Sequence, residues 1–269
     1  MILRWTLLVV LYFTITTYPV MSQVSFQPKN VNNDWKGIIY RYETTGMATL
    51  HTNGFSIAYN KGKIRTYYKT TYYHIEAGFL KDAREQNQNR NIPISFNKVS
   101  QSFKFGKQHY FYNVRAGKGT KILLTDKARR QGVSVGYNYE GGFSLGVLRP
   151  YYLELVYNYE ENGRYYNELR TEKYSLENAD KFLDFNSIFS GASGGKGWSE
   201  ISIVPGIQGK LGLFFSIGSM DQYTKNIELG IMGDLYIKKI PIMVETPAVS
   251  SKPYFINFYL TVELGKKYN

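Results

Sequence analysis

The final stretch of the chain alternates apolar and polar side chains with a period of two. Within residues 254–265, every second side chain from Tyr254 onward is apolar or aromatic, and the side chains between them are mostly polar and include Glu263. Neighbouring side chains on a β-strand point to opposite faces, so this stretch predicts a strand with one apolar and one polar face. Several earlier segments repeat the pattern, which predicts a closed barrel whose apolar face is turned outward into lipid.

Seven earlier segments bring the number of predicted strands to eight, an even number as in bacterial outer-membrane barrels. The predicted strands cover residues 37–44, 47–59, 64–80, 103–124, 132–157, 201–217, 227–237 and 254–265. A bulge or kink is expected at residues 52–54, inside the second strand, because a glycine there interrupts the alternation.

The connections differ in length between the two ends of the predicted barrel. With the N-terminus placed in the periplasm, the longer ones collect at the outer end, as in outer-membrane barrels. The outer connections lie near residue 45 and at 81–101, 158–198 and 241–253, and the inner ones at 60–63, 125–131 and 218–224. Residues 158–198 are expected to be irregular apart from one short amphipathic helix within residues 176–189, with Ser175 as its cap. The predicted fold is an all-β, eight-stranded antiparallel up-and-down transmembrane β-barrel, with long extracellular loops and one short loop helix.

The alternation also assigns side chains to the lumen and to the lipid face. An eight-stranded barrel is just wide enough for side chains to fill it, so opposite charges inside are expected to pair and to plug the lumen. The predicted lumen charge network consists of Arg115, Lys121, Glu140, Lys210, Glu228, Asp234 and Glu263. The side chains predicted to face lipid include Leu211, Leu213, Phe215, Ile256, Phe258, Leu260 and Val262. A conduction or proton path through the lumen is the alternative reading of these charges.

The first 22 residues have the features of a secretory signal peptide. Arg4 supplies a positive charge, residues 5–15 form a short apolar run, and residues 20–22 offer small side chains for cleavage before Gln23. The alternative is an N-terminal membrane anchor, but the run is shorter than the roughly 20 residues that a spanning helix needs. We therefore expect a signal peptide at 1–22, a polar lead-in at 23–35 and an outer-membrane barrel at 36–269, located in the cell outer membrane.

Composition narrows the classes of partner. The formal charge is +12, and an exported protein with this charge is better matched to acidic lipid head groups, including lipopolysaccharide, than to nucleic acid. The 25 tyrosines suit the aromatic girdles of membrane barrels, although tyrosine is also a good strand residue in general. The chain has no cysteine, which excludes disulfides, a thiolate metal site and a cysteine nucleophile.

No local motif predicts catalysis, a cofactor or a metal site. The three histidines, His51, His74 and His109, lie on different predicted strands, and none is paired with a serine in a short motif. The glycine-rich run at 191–197 lacks the Ser or Thr that follows the lysine of a phosphate-binding loop, and no apolar strand leads into it. Gly117-Lys118-Gly119 is interpreted as a bend or bulge in a strand.

Several short runs together resemble a family of uncharacterised outer-membrane β-barrel proteins of Bacteroidota. They are FGKQ at 105–108, FYNVR at 111–115, GGFSLGVLRPYY at 141–152, IVPG at 203–206, KIPIM at 239–243 and LGKK at 264–267. The resemblance spans roughly residues 46–267 and implies a barrel fold and an outer-membrane location, but no particular activity. A more distant likeness, by fold, is to the PorT-like barrels associated with protein export.

These observations favour a non-enzymatic outer-membrane barrel that acts as a scaffold, as an accessory subunit or as a binding protein through its outer loops. The alternatives are a small barrel enzyme acting on lipid A or phospholipid, a narrow porin, and a soluble lipid-binding barrel with its apolar face inside. The long connection at 158–198 is the candidate binding surface for an envelope protein or glycolipid. Its aromatic side chains are Tyr165, Tyr166, Tyr174, Phe182, Phe185, Phe189 and Trp198.

Overall fold

A computed structural model describes residues 40–89, 98–125, 132–161, 163–217 and 222–269 of the chain. The predicted signal peptide (1–22) and lead-in (23–35) lie outside the described residues. Among the described residues, no helix is long and apolar enough to cross a membrane.

The described residues form thirteen β-strands, one short α-helix and one 3-10 helix. Eight long strands are β1 (Tyr42–His51), β2 (Gly54–Ile64), β3 (Lys69–Leu80), β6 (His109–Leu123), β7 (Val133–Pro150), β11 (Ser202–Ile217), β12 (Tyr223–Tyr236) and β13 (Tyr254–Tyr268). The other elements are β4 (Asn87–Gln88), β5 (Phe103–Lys104), β8 (Tyr152–Glu161), β9 (Arg164–Lys173), α1 (Ala179–Phe182), β10 (Ile188–Gly191) and the 3-10 helix η1 (Trp198–Glu200).

The eight long strands close into one antiparallel barrel in the order β1-β13-β12-β11-β7-β6-β3-β2. The seam is formed by β1 and β13, which pair from Tyr42↔Tyr268 to His51↔Tyr259. Consecutive long strands are neighbours in this order, so the chain runs up and down around the barrel. The prediction of an eight-stranded antiparallel up-and-down barrel is confirmed.

The predicted boundaries of the first two strands are wrong. Residues 52–54 were expected to form a bulge or kink, but Thr52 and Asn53 connect β1 to β2 and Gly54 begins β2, where a Cβ would lie only 1.9 Å from the Phe79 carbonyl oxygen. The turn expected near residue 45 is the middle of β1. Residues 60–63 were expected to be a turn, yet they continue β2 with Asn60 and Gly62 facing the lumen and Lys61 and Lys63 facing out. Asparagine and glycine suit a crowded polar interior as well as a turn, which explains the error.

Glycines in the lumen make room for large side chains that cross it. A Cβ at Gly212 would lie 2.3 Å from the Tyr259 hydroxyl oxygen, and one at Gly136 would lie 2.4 Å from the ring of Phe214. Such contacts are too short for any side chain, so these positions require glycine. The many glycines of the polar face are therefore a packing requirement of a filled barrel.

Residues 151–198 also depart from the prediction. Residues 151–157 do not extend β7, because the chain leaves the barrel at Tyr151 and β8 belongs to a separate sheet. Strands β10, β8 and β9 form this three-stranded antiparallel sheet, which we call the outer sheet, in a region that was expected to be irregular. The helix is α1, only four residues long, rather than a longer amphipathic helix within 176–189.

Candidate functional site

The barrel wall separates an apolar outer surface from a polar lumen. On β13, Leu260 is 48% exposed whereas its neighbour Tyr259 is 4% exposed. The structure places all seven side chains that were predicted to face lipid on the outer surface of the barrel. Leu211, Leu213, Ile256, Phe258, Leu260 and Val262 are exposed there, and Phe215 is half-buried.

Arg115 on β6 is the centre of an ion-paired network that spans the lumen. Its Nε and Nη2 atoms donate to the two carboxylate oxygens of Asp234 on β12, at 2.8 and 2.6 Å, and Nη1 donates to Glu76 on β3. Lys210 on β11 donates to the other oxygen of Glu76, at 2.8 Å. All four side chains are almost completely buried, and bidentate charge-assisted bonds of this kind are among the strongest in proteins. Four strands are thereby linked through the interior.

A second group of polar contacts lies around Glu263 on β13. Lys121 donates to Glu263 Oε1, Thr45 donates to the same oxygen at 2.6 Å, and Asn226 donates to Oε2 at 2.7 Å. The Tyr259 hydroxyl donates to Glu228 Oε1 at 2.5 Å. Each of the seven charged residues predicted to face the lumen is therefore buried inside the barrel. Glu140 is the remaining member, and it accepts hydrogen bonds from Tyr72 and Gln208.

His74 links Glu76 to Glu140. Its Nδ1 atom lies 2.7 Å from the Asn60 side-chain oxygen, while Nε2 lies 3.1 Å from Glu76 Oε2 and 3.2 Å from Glu140 Oε1. Both ring nitrogens thus face oxygen atoms of neighbouring side chains. The Asn60 amide nitrogen in turn faces the sulfur of Met47, which fixes its oxygen toward the ring.

Sequence reasoning missed three members of this interior: His74, Glu76 and Glu43. The first two lie on the polar face of the third predicted strand, so the alternation carried their signal. Glu43 was missed because the first strand was placed too early in the chain. Among the described residues, the lumen buries six carboxylates together with three Lys or Arg side chains and His74. The carboxylates are Glu43, Glu76, Glu140, Glu228, Asp234 and Glu263, and the Lys and Arg side chains are Arg115, Lys121 and Lys210.

An apolar layer covers the outer end of the polar lumen. The connection between β12 and β13 folds inward and buries three apolar side chains, Ile240, Ile242 and Met243, against residues at the outer ends of the barrel strands. Those residues are Leu80, Phe111, Leu148, Val204 and Tyr236. This inner lid was not predicted, although the apolar run between prolines 241 and 247 was a signal for it.

The outer sheet has a hydrophobic core of its own. Leu153 and Leu155 on β8 pack with Phe182 of α1, Ile188 of β10 and Phe103 of β5, and all five are at most 1% exposed. The sheet is therefore a packed unit that grows out of the connection between β7 and β11, rather than an irregular loop.

The seven aromatic residues predicted to form one binding surface do not do so. Phe182 and Phe189 are buried, Tyr174 packs against the core of the outer sheet, and Phe185 is 39% exposed and contacts Phe103. Trp198 lies on the barrel side, stacked on Tyr112. Only Tyr165 and Tyr166, at 78% and 47% exposure, lie together at the end of the β8–β9 hairpin.

Three tyrosines form a stacked row along one face of this hairpin. The ring centroids of Tyr157 and Tyr159 are 6.3 Å apart, and those of Tyr159 and Tyr166 are 5.4 Å apart. The planes of neighbouring rings are nearly parallel. The Arg170 guanidinium lies over Tyr157 and Tyr159, and the Lys181 ammonium lies 3.6 Å from the Tyr157 centroid. Desolvation, together with the hydrogen bond to Glu172, raises the pKa of Tyr157 to about 12. We call these five side chains the tyrosine row; it presents aromatic area together with positive charge.

Comparisons with known proteins add little to this description. No protein-family model and no curated protein matches the chain. Among solved structures, the crystal structure of Neisserial surface protein A is similar at a TM-score of 0.36 and 8% sequence identity, over 85% of this chain and 97% of that one. The resemblance to the Bacteroidota family stays a prediction.

Proposed function

We propose that this protein is an outer-membrane β-barrel whose lumen is closed, and that it serves as an anchor for the outer sheet, which binds a partner in the cell envelope. The apolar outer surface supports the membrane location. A transmembrane strand needs about 9–11 residues, and each long strand of the barrel has at least 10. Lipid, including lipopolysaccharide, would then surround the barrel.

The observation that carries the proposal is that the lumen is filled while the outer sheet is built as a separate packed unit. Buried ion pairs cross the lumen, and the inner lid covers its outer end, which supports a closed barrel over a narrow porin. The hairpin that carries the tyrosine row extends beyond the packed core, and Tyr165 and Tyr166 at its end are exposed. Aromatic side chains with basic neighbours are typical of binding surfaces.

The arrangement of the histidines favours a binding role over catalysis on lipid. His74 lies between two carboxylates deep in the lumen, and His109 Nδ1 lies 2.8 Å from the Pro241 carbonyl oxygen. In the described ranges, none of the three histidines hydrogen-bonds to a serine or threonine hydroxyl, which is the contact that activates a nucleophile of that type. Within the same ranges, no cluster of three or more His, Asp or Glu side chains is placed to hold a metal ion.

A shortened hairpin tests the proposal. Residues 159–166 are replaced by Asn-Gly, which joins the paired residues Asn158 and Asn167 through a two-residue turn and leaves the core of the outer sheet intact. The protein and its variant are recovered from detergent-solubilised outer membranes, and co-purified proteins are compared. We expect both to fractionate with outer membranes and to show a heat-modifiable gel shift, while partner recovery falls only for the variant.

A variant with Lys238→Ser and Lys239→Ser serves as the matched control, because these exposed lysines lie at the same end of the barrel but away from the hairpin. Recovery of every partner by the shortened hairpin would show that the outer sheet is not the binding surface. Recovery of the protein in the soluble periplasmic fraction would contradict the membrane location itself.

A further inference from the structure

On one sector of the barrel, the outward-facing side chains change in character from row to row toward the outer end. In the register of β3, β6 and β7, one row consists of Ala77, Val114 and Leu145, and the next consists of Phe79, Tyr112 and Val147. In the third row Tyr110 pairs with Arg149, and Lys81 follows the end of β3 at the same height. The order is aliphatic, then aromatic, then cationic, which is the order of environments from hydrocarbon to lipid head groups.

Three cations converge on the ring of Tyr110. The Lys107 Nζ atom lies 4.4 Å from the ring centroid, the Lys104 Nζ atom 5.6 Å, and the Arg149 Cζ atom 4.3 Å. Arg149 is also held 4.7 Å from the Trp198 ring, and it donates to the Gly194 carbonyl oxygen at 2.9 Å. Lys81 adds a fourth cation next to Phe79. We call these four cations and Tyr110 the rim cluster.

The rim cluster is short of negative charge. Lys104 and Lys107 share a single carboxylate oxygen, Glu85 Oε2, at 2.7 and 2.6 Å. Within the described ranges no carboxylate pairs with Arg149 or Lys81, and the Arg149 Nε atom is buried without a hydrogen-bond partner. Burial, opposed by the bond to Glu85, lowers the pKa of Lys107 to about 8, as expected where cations crowd together away from water. Asp82, the other carboxylate that interacts with Lys107, is itself paired with Arg84, so the cluster keeps an excess of positive charge, which favours an added anion.

We propose that the rim cluster binds the phosphate group of an anionic lipid in the outer leaflet, with Lys81 and Lys104 as the accessible contacts and Arg149 held behind them. This inference rests on the proposed outer-membrane location. A lipid-borne phosphate fits better than a free one, because the cluster continues directly from the apolar and aromatic rows that acyl chains and their ester region would cover. Lysine and arginine are the side chains that bind phosphate most often.

Trp198 provides a direct readout, because it stacks on Tyr112 and lies over Arg149. In a Trp35→Phe background, it is the sole tryptophan of the chain that follows the predicted signal peptide. Its fluorescence is followed in uncharged maltoside micelles during titration with diphosphorylated lipid A, with the dephosphorylated form of that lipid, and with inorganic phosphate. We expect the phosphorylated lipid to bind at least about tenfold more tightly than the dephosphorylated one. Lys81→Gln with Lys104→Gln should weaken its binding about 10- to 30-fold.

The matched control is Lys238→Gln with Lys239→Gln, which removes two exposed positive charges at the same end of the barrel and should leave the affinity unchanged. Equal affinity for the two lipids, an equal loss in the control variant, or a full signal from inorganic phosphate at the same concentration would each overturn the inference. If the double variant does not show the heat-modifiable band, Lys81→Gln alone, at an exposed position, decides the question. Lipid binding is measured on purified protein, whereas the outer-membrane location is tested separately by cell fractionation. A negative binding result would therefore contradict the rim-cluster inference and leave the proposed membrane location unaffected.

Discussion

Removal of Arg115 should destabilise the barrel far more than its single charge suggests. Arg115 is 1% exposed and supplies both hydrogen bonds that the structure gives to the Asp234 carboxylate, at 2.8 and 2.6 Å. In Arg115→Met the buried carboxylate has no cation beside it. Breaking a buried pair in this way typically costs about 3–5 kcal/mol, because one charge is left uncompensated in a medium that solvates it poorly.

The loss of stability in Arg115→Met is expected to arise from the unpaired Asp234 carboxylate rather than from Glu76. Glu76 keeps Lys210 at 2.8 Å and His74 at 3.1 Å after Arg115 is removed. Adding Asp234→Asn to Arg115→Met therefore removes the unpaired charge and should recover about 2–3 kcal/mol of the loss. The double variant should be more stable than Arg115→Met alone, although it has one more substitution.

The free energy of unfolding is measured by urea titration in lipid vesicles for the wild type, both single variants and the double variant. The heat-modifiable gel shift and tryptophan fluorescence report the folded fraction at each urea concentration. Lys61→Met, which removes an exposed outward charge from β2, is the control and should lie within about 0.5 kcal/mol of the wild type. If the two single effects simply add, with a coupling below about 0.5 kcal/mol, Arg115 does not compensate Asp234 and the description of the lumen network is wrong.

Two further tests address the wall and the rim. Leu211→Arg and Leu260→Arg should each cost about 2–4 kcal/mol near the bilayer midplane, measured by the same titration, and a cost below about 0.5 kcal/mol for both would show that this face does not contact lipid. For Lys107, the folded pKa of about 8 lies below the unfolded value of 10.5, so the unfolded chain binds more protons between these values. The wild type should therefore gain about 3 kcal/mol relative to Lys107→Met as the pH rises from 8 to 10.5, and parallel stability curves would contradict this.

The number of strands and the direction of their faces could be predicted because the alternation depends only on local geometry. The pattern of β13 is the same whether or not its neighbours are known. The ends of β1 and β2 could not be predicted, because residues 60–63 have the composition of a turn. In a barrel with a polar interior, asparagine and glycine face inward in mid-strand, so composition no longer distinguishes a turn from a strand.

The site was less predictable than the wall. The alternation places Arg115 and Asp234 inside, but which acid meets which cation depends on the stagger of strands on opposite sides of the lumen, and a single strand carries no information about that. The outer sheet was missed for a different reason. Most side chains of β9 are exposed on both faces, so its sequence lacks the period of two that identified the barrel strands. The inner lid could not be foreseen because its partners lie at the ends of five different strands.

The ion pairs of the lumen join strands that are far apart around the barrel, and this has a consequence for how the protein assembles. Arg115 on β6 meets Asp234 on β12, and Lys121 on β6 meets Glu263 on β13, across the interior. Before the barrel closes, these charges lie on the open concave face of a partly curled sheet, and each is separated from its partner. Lipid hydrocarbon cannot occupy the space between these charges, because it would leave them buried without a partner or water. For the proposed membrane location, we therefore expect insertion and closure to proceed together, with water retained inside until the β1–β13 seam forms.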